Sequence, residues 1–309
     1  MAIKLIAYKD REEWLKLRRG YIGGSDAGAV MGLNPYVSPY SLWAEKTGRV
    51  PGFEGNITTK VGAYLEELVA QMFTDETGKR VKRQNRMVVN DDYPWACADV
   101  DRLVVGEDAI LEIKTTNSLG NMKLLRGGEY PAQYYCQMVH YLAVTGKKKA
   151  YLAVLINCRE FKWFELERDE AEIGALMAEE KRFWEDNVKA DVPPSPIGIE
   201  ADTQTLQTLY PEGDGSTVDL YGCGGILDAY EALGKRIKEL EKEQDSYIQQ
   251  IKQIMGAAET GRTDGWKVTW KTATKRTLDR AALEKAVPGG LDQYTKESTY
   301  RTFKVMKES

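Results

Sequence analysis

The sequence predicts an α/β fold: a mixed central sheet flanked by helices, followed by a C-terminal helical arm with a small α+β end. Three observations lead to it. Residues 100–105 and 110–113 are short apolar runs around the turn Gly106-Glu107-Asp108, and residues 150–156 form a continuous apolar run. Apolar runs of that length, bounded by turn residues, read as strands of a buried sheet. Helical-period stretches lie before, between and after them. Finally, residues from Ile226 to Ile254, apolar except for Gln244, recur at alternating spacings of four and three, which is the a/d seam of one long heptad helix that would either fold back on the core or pair with another chain. The 309 residues therefore divide into a core at 1–196, a linker at 197–222 rich in Thr, Gly, Asp and Pro, and a C-terminal segment at 223–309.

Taken in order, residues 10–19 read as a helix. Asp10 can cap it, Glu12 and Glu13 favour its first turn, and Gly20 follows it. Gly23-Gly24-Ser25-Asp26 is a glycine-rich turn opening a short helix, with Ser25 or Asp26 as cap. Residues 41–48 form a helix ending at glycine. Residues 59–77 form a longer one, with Val61, Leu65, Leu68, Val69, Met72 and Phe73 as its stripe and Gly78 as its stop. Residues 80–90 read as one strand carrying Lys82, Arg83 and Arg86. After the hairpin, residues 115–128 look like a mobile segment. Residues 131–144 form a helix, 150–156 and 161–166 strands, and 169–186 an amphipathic helix whose Phe183-Trp184 pair packs on the core. In the last segment, Trp266, Val268 and Trp270 alternate as a strand and residues 300–306 as another, with a helix at 278–286 between. Lysines and arginines interleave with those tryptophans, a pattern that suits either nucleic-acid binding or a packed strand face.

Composition narrows the class. No apolar run approaches the length of a membrane span, and the first ten residues lack the shape of a secretory signal. A cytoplasmic location is the expectation. Cys97, Cys136, Cys158 and Cys223 are scattered, which argues against zinc ribbons, iron–sulfur ligation and disulfide frameworks. Net charge is −4, with 27 Lys and Arg against 34 Asp and Glu in 1–220 and 16 against 13 in 221–309. Indiscriminate surface binding to DNA is disfavoured, but a locally basic channel is not.

The candidate chemistry sits on the central hairpin. Asp101 opens its first strand, and Glu112 and Lys114 share one face of its second. Two carboxylates offer hard oxygen ligands for Mg²⁺ or Mn²⁺. Such an ion acidifies bound water and offsets charge on a phosphate, and Lys114 could then hold the attacking water. The alternative is a solvated strand face with ordinary surface charges. A phosphate could also sit at the glycine-rich turn, where a helix begins.

Asp101, Glu112-Ile113-Lys114 resemble the PD-(D/E)XK nuclease motif, although Val100 stands where that motif has proline. Leu17 to Asp26 (LRRGYIGGSD), Gly62 to Glu66 (GAYLE) and Tyr134 to Tyr141 (YYCQMVHY) occur in the order found in the YqaJ viral recombinase family, which is related to phage lambda exonuclease. The resemblance spans roughly residues 10 to 200. It implies a restriction-endonuclease-like core and a metal-dependent exonuclease of phage or prophage recombination. That enzyme would digest double-stranded DNA from an end, 5′ to 3′, leaving a 3′ overhang for a single-strand annealing recombinase. It further implies one or two Mg²⁺ or Mn²⁺ ions held by Asp101, Glu112, Glu66 and the Ile113 carbonyl. Lys114 and Gln137 would set up the water, Tyr134 would support them, and Arg18 and Ser25 would bind a 5′-phosphate. The implied assembly is a homo-oligomer, a toroidal trimer. The rival readings are an endonuclease on the same scaffold and a non-catalytic scaffold that binds DNA ends. The lone histidine, His140, is read as structural rather than as a base.

Overall fold

The computed structural model describes residues 2–287 and 291–307 and separates them into two units that meet between Tyr210 and Pro211. In chain order the first unit holds β1 (Ile3–Ile6), α1 (Arg11–Arg19), β2 (Ile22–Gly23), α2 (Gly24–Val30), α3 (Pro39–Lys46), α4 (Ile57–Thr77), β3 (Val81–Arg83), β4 (Met87–Asn90) and β5 (Ala96–Ala98). There follow β6 (Arg102–Val104), β7 (Ala109–Thr116), α5 (Leu119–Arg126), α6 (Ala132–Thr145), β8 (Lys149–Ile156), β9 (Glu160–Glu167), α7 (Glu170–Arg182) and α8 (Glu200–Leu209).

The main sheet has the order β3-β6-β7-β8-β9. It is mixed: β7 and β8 run parallel from Ala109↔Lys149 to Thr116↔Ile156, and the other pairs are antiparallel. A smaller sheet, β1-β4-β5-β2, is also mixed, with β2 parallel to β5. The architecture is therefore α/β with mixed sheets, as the hairpin and the apolar run at 150–156 predict.

Alternation along β7 sorts its side chains between two cores. Ile110, with Leu152 and Val154 of β8, packs against Met138 and Leu142 of α6. Leu111 and Ile113, with Tyr151 and Ala153, pack against Val69 and Phe73 of α4. Glu112 and Lys114 lie opposite Leu152 and Val154, so they share the α6 face. Helix α6 is buried from Cys136 to Thr145, as expected of a helix that is apolar nearly all round. It meets α2 through small residues. A Cβ on Gly28 would fall 2.8 Å from the Cβ of Gln133, and one on Gly24 would overlap the Tyr141 ring.

Several elements differ from the sequence reading. The strand expected at 80–90 is two strands, β3 and β4, which join different sheets. The segment expected to be mobile holds α5, pinned by buried Met122 and Leu125. After α7 the chain continues as a π-helix, Phe183–Lys189, with Phe183 buried and Trp184 packed on the core. Within the expected linker, α8 is ordered on the first unit. Its Asp202 accepts hydrogen bonds from the Ser38 hydroxyl and from the backbone N–H groups of Ile197 (2.8 Å) and Gly198 (2.8 Å). The α8 sequence is mostly polar, so periodicity gives little sign of it.

The second unit contains α9 (Gly224–Met255), the antiparallel hairpin β10 (Thr260–Thr263) and β11 (Trp266–Thr269), and α10 (Arg280–Ala286). The strand expected at 300–306 does not form among the described residues. That stretch instead touches α9 within the same unit, Phe303 against Tyr230 and Lys307 against Glu231. Trp266 and Trp270 are not buried. No helix of the described residues is long and apolar enough to cross a membrane.

Candidate active site

The charged residues of the hairpin converge. Lys114 Nζ lies 2.7 Å from Glu112 Oε1. Asp101 Oδ2 accepts a 2.7 Å hydrogen bond from the Ile113 backbone N–H, which ties the start of β6 to the middle of β7. Glu112 is only 3% exposed. Burial and the neighbouring Glu112 charge hold the Asp101 carboxyl well above the usual carboxylate range. Burial opposes the Lys114 ammonium, but Glu112 and Asp101 outweigh it and raise its pKa, so Lys114 stays a cation.

Helix α6 supplies the supports. Gln137 Nε2 donates to Glu112 Oε1 at 2.7 Å, and the Tyr134 ring lies 5.4 Å from Lys114 Nζ. One turn on, Tyr141 accepts from Gln137 Nε2 at 3.0 Å and donates to the Asp99 carbonyl at 2.9 Å. Sequence reasoning missed the role of Tyr141, although its i, i+4 spacing from Gln137 marks the same helix face. His140 points elsewhere. Its Nδ1 is 2.8 Å from Glu180 Oε1 and its Nε2 2.8 Å from the Cys97 carbonyl oxygen, with no exposure to solvent. That is a structural histidine, in keeping with the sequence reading.

Arg18 and Ser25 also come together. Arg18 donates to the Ser25 hydroxyl and, at 3.0 Å, to Asp26 Oδ1. Gly23, rather than Ser25 or Asp26, is the N-cap of α2, and its N–H donates to Asp26 Oδ2 at 3.0 Å. Asp26 Oδ2 is also 2.7 Å from the ammonium of Lys46, whose side chain is 2% exposed. Burial alone would raise the Asp26 carboxyl, but Lys46 and Arg18 together drive it far below the usual range. Two cations thus enclose one carboxylate. Sequence reasoning did not find Lys46, since nothing in its helix distinguishes it from a surface lysine.

Glu66 lies close enough to Asp101 to help raise its carboxyl, while its own side chain pairs with Arg102. Arg102 lies opposite Leu111 and so faces α4, where its guanidinium takes Glu66 and, at 3.1 Å, Glu67. Arg83 is likewise paired, at 2.7 Å, with Glu67. Among the described residues no group of three His, Cys, Asp or Glu side chains is placed to hold a metal ion.

A divalent ion would nevertheless match what Asp101 and Glu112 leave unsatisfied. Glu112 Oε2 is buried with no hydrogen-bond partner, and the Asp101 carboxyl is buried beside it, raised by that burial first and then by the Glu112 charge. The N–H and C=O of a strand residue point to the same edge. The Ile113 carbonyl therefore faces the Asp101 side, beyond the β6–β7 pairing that stops at Leu111. Two carboxylates and a carbonyl form the oxygen-rich donor set that Mg²⁺ or Mn²⁺ prefers.

Known proteins resemble this chain at three levels. Residues 13–148 match the model of the YqaJ-like viral recombinase domain. A curated relative, the uncharacterized protein YqaJ of Bacillus subtilis (strain 168), is 36% identical over 97% of this chain and 95% of its own length. Among solved structures, an alkaline exonuclease (LHK-Exo) from Laribacter hongkongensis superposes with a TM-score of 0.51 at 23% identity, covering 59% of this chain and 94% of the other. A second structure of LHK-Exo, in complex with dAMP, gives a TM-score of 0.51 at 22% identity over the same shares. These two matches establish a common fold.

Proposed function

We propose that this chain, which belongs to the YqaJ-like viral recombinase family, is a metal-dependent deoxyribonuclease that digests double-stranded DNA from an end. The observation that carries the proposal is the convergence of Asp101, Glu112 and Lys114 on β7 and its edge, with α6 bracing them. The core would be of the PD-(D/E)XK type, with Lys114 in the lysine position of that motif.

Asp101, Glu112 and the Ile113 carbonyl would hold Mg²⁺ or Mn²⁺. When bound, such an ion lowers the pKa of a coordinated water and offsets charge on the phosphate. The chain's own residues do the rest. Gln137 fixes Glu112 by donating to it. Lys114, 2.7 Å from Glu112, would orient the water and stabilise the phosphate oxygens as a donor. The bidentate fork of Arg18, with the Ser25 hydroxyl, takes a terminal 5′-phosphate, which gives 5′ to 3′ polarity and leaves a 3′ overhang for an annealing partner. Glu66, held by Arg102 through Oε1, would offer its other carboxylate oxygen to the ion.

The test is digestion of linear and closed circular DNA in Mg²⁺. Linear DNA should be consumed and circular DNA spared, with Lys114→Ala slowing turnover by about 10²–10³-fold, the cost of removing one electrostatic donor. Equal consumption of circular DNA would instead identify an endonuclease. DNA-end binding without turnover in any divalent ion would identify a scaffold.

A further inference from the structure

Among the described residues of the second unit, the apolar seam of α9 is largely uncovered. Ile226, Tyr230, Leu233, Ile237, Leu240, Tyr247, Ile251 and Ile254 are all exposed, from 42% at Ile251 to 86% at Ile254. Tyr230 meets Phe303 edge-on at 6.4 Å and is still 56% exposed. At 1.5 Å per residue this 32-residue helix is about 48 Å long. A stripe of that length is the mark of an interaction face rather than of scattered surface residues.

The identity of the layers points to the occupant. With Ile226 at d, the a positions are Cys223, Tyr230, Ile237, Gln244 and Ile251, and the d positions are Ile226, Leu233, Leu240, Tyr247 and Ile254. In the middle of the seam, isoleucine at a (Ile237) lies between leucines at d (Leu233, Leu240), the combination that favours two parallel strands, whereas the last heptad has isoleucine at both a (Ile251) and d (Ile254). Gln244 is the one polar layer. In a parallel pair it meets its own copy and the two amides satisfy each other, whereas an antiparallel pair would set each against an apolar d residue. Arg236 at g and Glu241 at e of the next heptad are opposite charges five residues apart, the spacing of g–e′ ion pairs in a parallel dimer. The ion pairs of this helix run from Glu231 to Lys235 and Lys307 and leave Arg236 and Glu241 to pair across copies.

We propose that α9 pairs with α9 of a second copy of this chain as a parallel, in-register, two-stranded coiled coil. The pairing is independent of the nuclease reading. It also cannot by itself close the three-fold ring implied by the family resemblance, because a two-stranded arm joins chains only in pairs.

The experiment measures mass in solution by light scattering on the full chain and on Ile237→Lys/Leu240→Lys. The seam variant should halve the mass, from two chains to one or, if the first units also associate, from six to three. An unchanged mass, a fall to one third, or a wild-type chain that is monomeric until an annealing protein is added would overturn the proposal. Orientation is read without disturbing the seam, in a Cys158→Ser background that removes the exposed thiol. A short bismaleimide should join Cys223 to Cys223 of the second copy. Absence of that cross-link in a chain of even-numbered mass would show that the strands are not parallel and in register, and would also overturn it.

Discussion

Helices α6 and α9 make the comparison that this molecule teaches best. Both are patterned with apolar residues at helical spacing. In α6 that pattern is consumed within the chain, and Gln137, His140 and Tyr141 all find partners in the first unit. In α9 it is left facing solvent, and Gln244 is its one polar layer. Periodicity therefore states that a face will be buried and leaves open what buries it. What separates the two is the rest of the sequence: α6 lies between strands that supply two sheet faces, whereas α9 follows α8 and is followed, among the described residues, by a two-stranded hairpin, α10 and one 3-10 turn.

Three substitutions sharpen that contrast. Lys46→Met should have the largest effect on the first unit, because it leaves Asp26 buried with Arg18 as its remaining cation. Breaking a buried pair typically costs about 3–5 kcal/mol, measurable as a shift of the urea midpoint. The same variant should lose any preference for 5′-phosphorylated over 5′-hydroxyl ends, since Asp26 would then neutralise Arg18 one for one. Leu142→Ala, at a site 1% exposed, should cost about 2–5 kcal/mol. Leu233→Ala, at a site 58% exposed, should change the urea midpoint of the dilute single chain by within about 0.5 kcal/mol while weakening pairing at high concentration. Equal costs for the two leucines would erase the distinction between a self-buried and a partner-buried helix.

The smallest effect is in pH. Burial opposes the His140 imidazolium, but Glu180 outweighs it and raises its pKa above the usual 6.5. A raised folded pKa means that the folded state holds its proton to higher pH than the unfolded chain. The stabilisation is complete below about 6.5 and is lost as pH rises through the folded value. Stability against pH should therefore fall over that window in the wild type, and the fall should be absent in His140→Gln.

The hairpin, the carboxylates and the seam could be read from the sequence because each rests on a local period. The strand alternation that places Glu112 and Lys114 together is of this kind, and so is the Tyr134–Gln137 spacing on α6. What could not be read is tertiary. Arg102 gains its pairing with Glu66 and Glu67 only where β6 meets α4. Lys46 gains its role only where α3 meets the α2 turn, and β1 and β2 are too short to announce themselves against noise. Helix α8 is polar and is fixed by the single carboxylate of Asp202. A local pattern cannot reveal a partner that arrives from elsewhere in the chain.

A divalent-cation site at Asp101 and Glu112 should show itself in thermal unfolding with added Mn²⁺ in the absence of DNA. A ligand present at about 100 times its Kd stabilises the folded state by about 2.7 kcal/mol. The wild-type midpoint should rise with Mn²⁺, while Asp101→Asn and Glu112→Gln should fold but no longer respond. A wild type indifferent to Mn²⁺, or variants that respond as it does, would contradict the account.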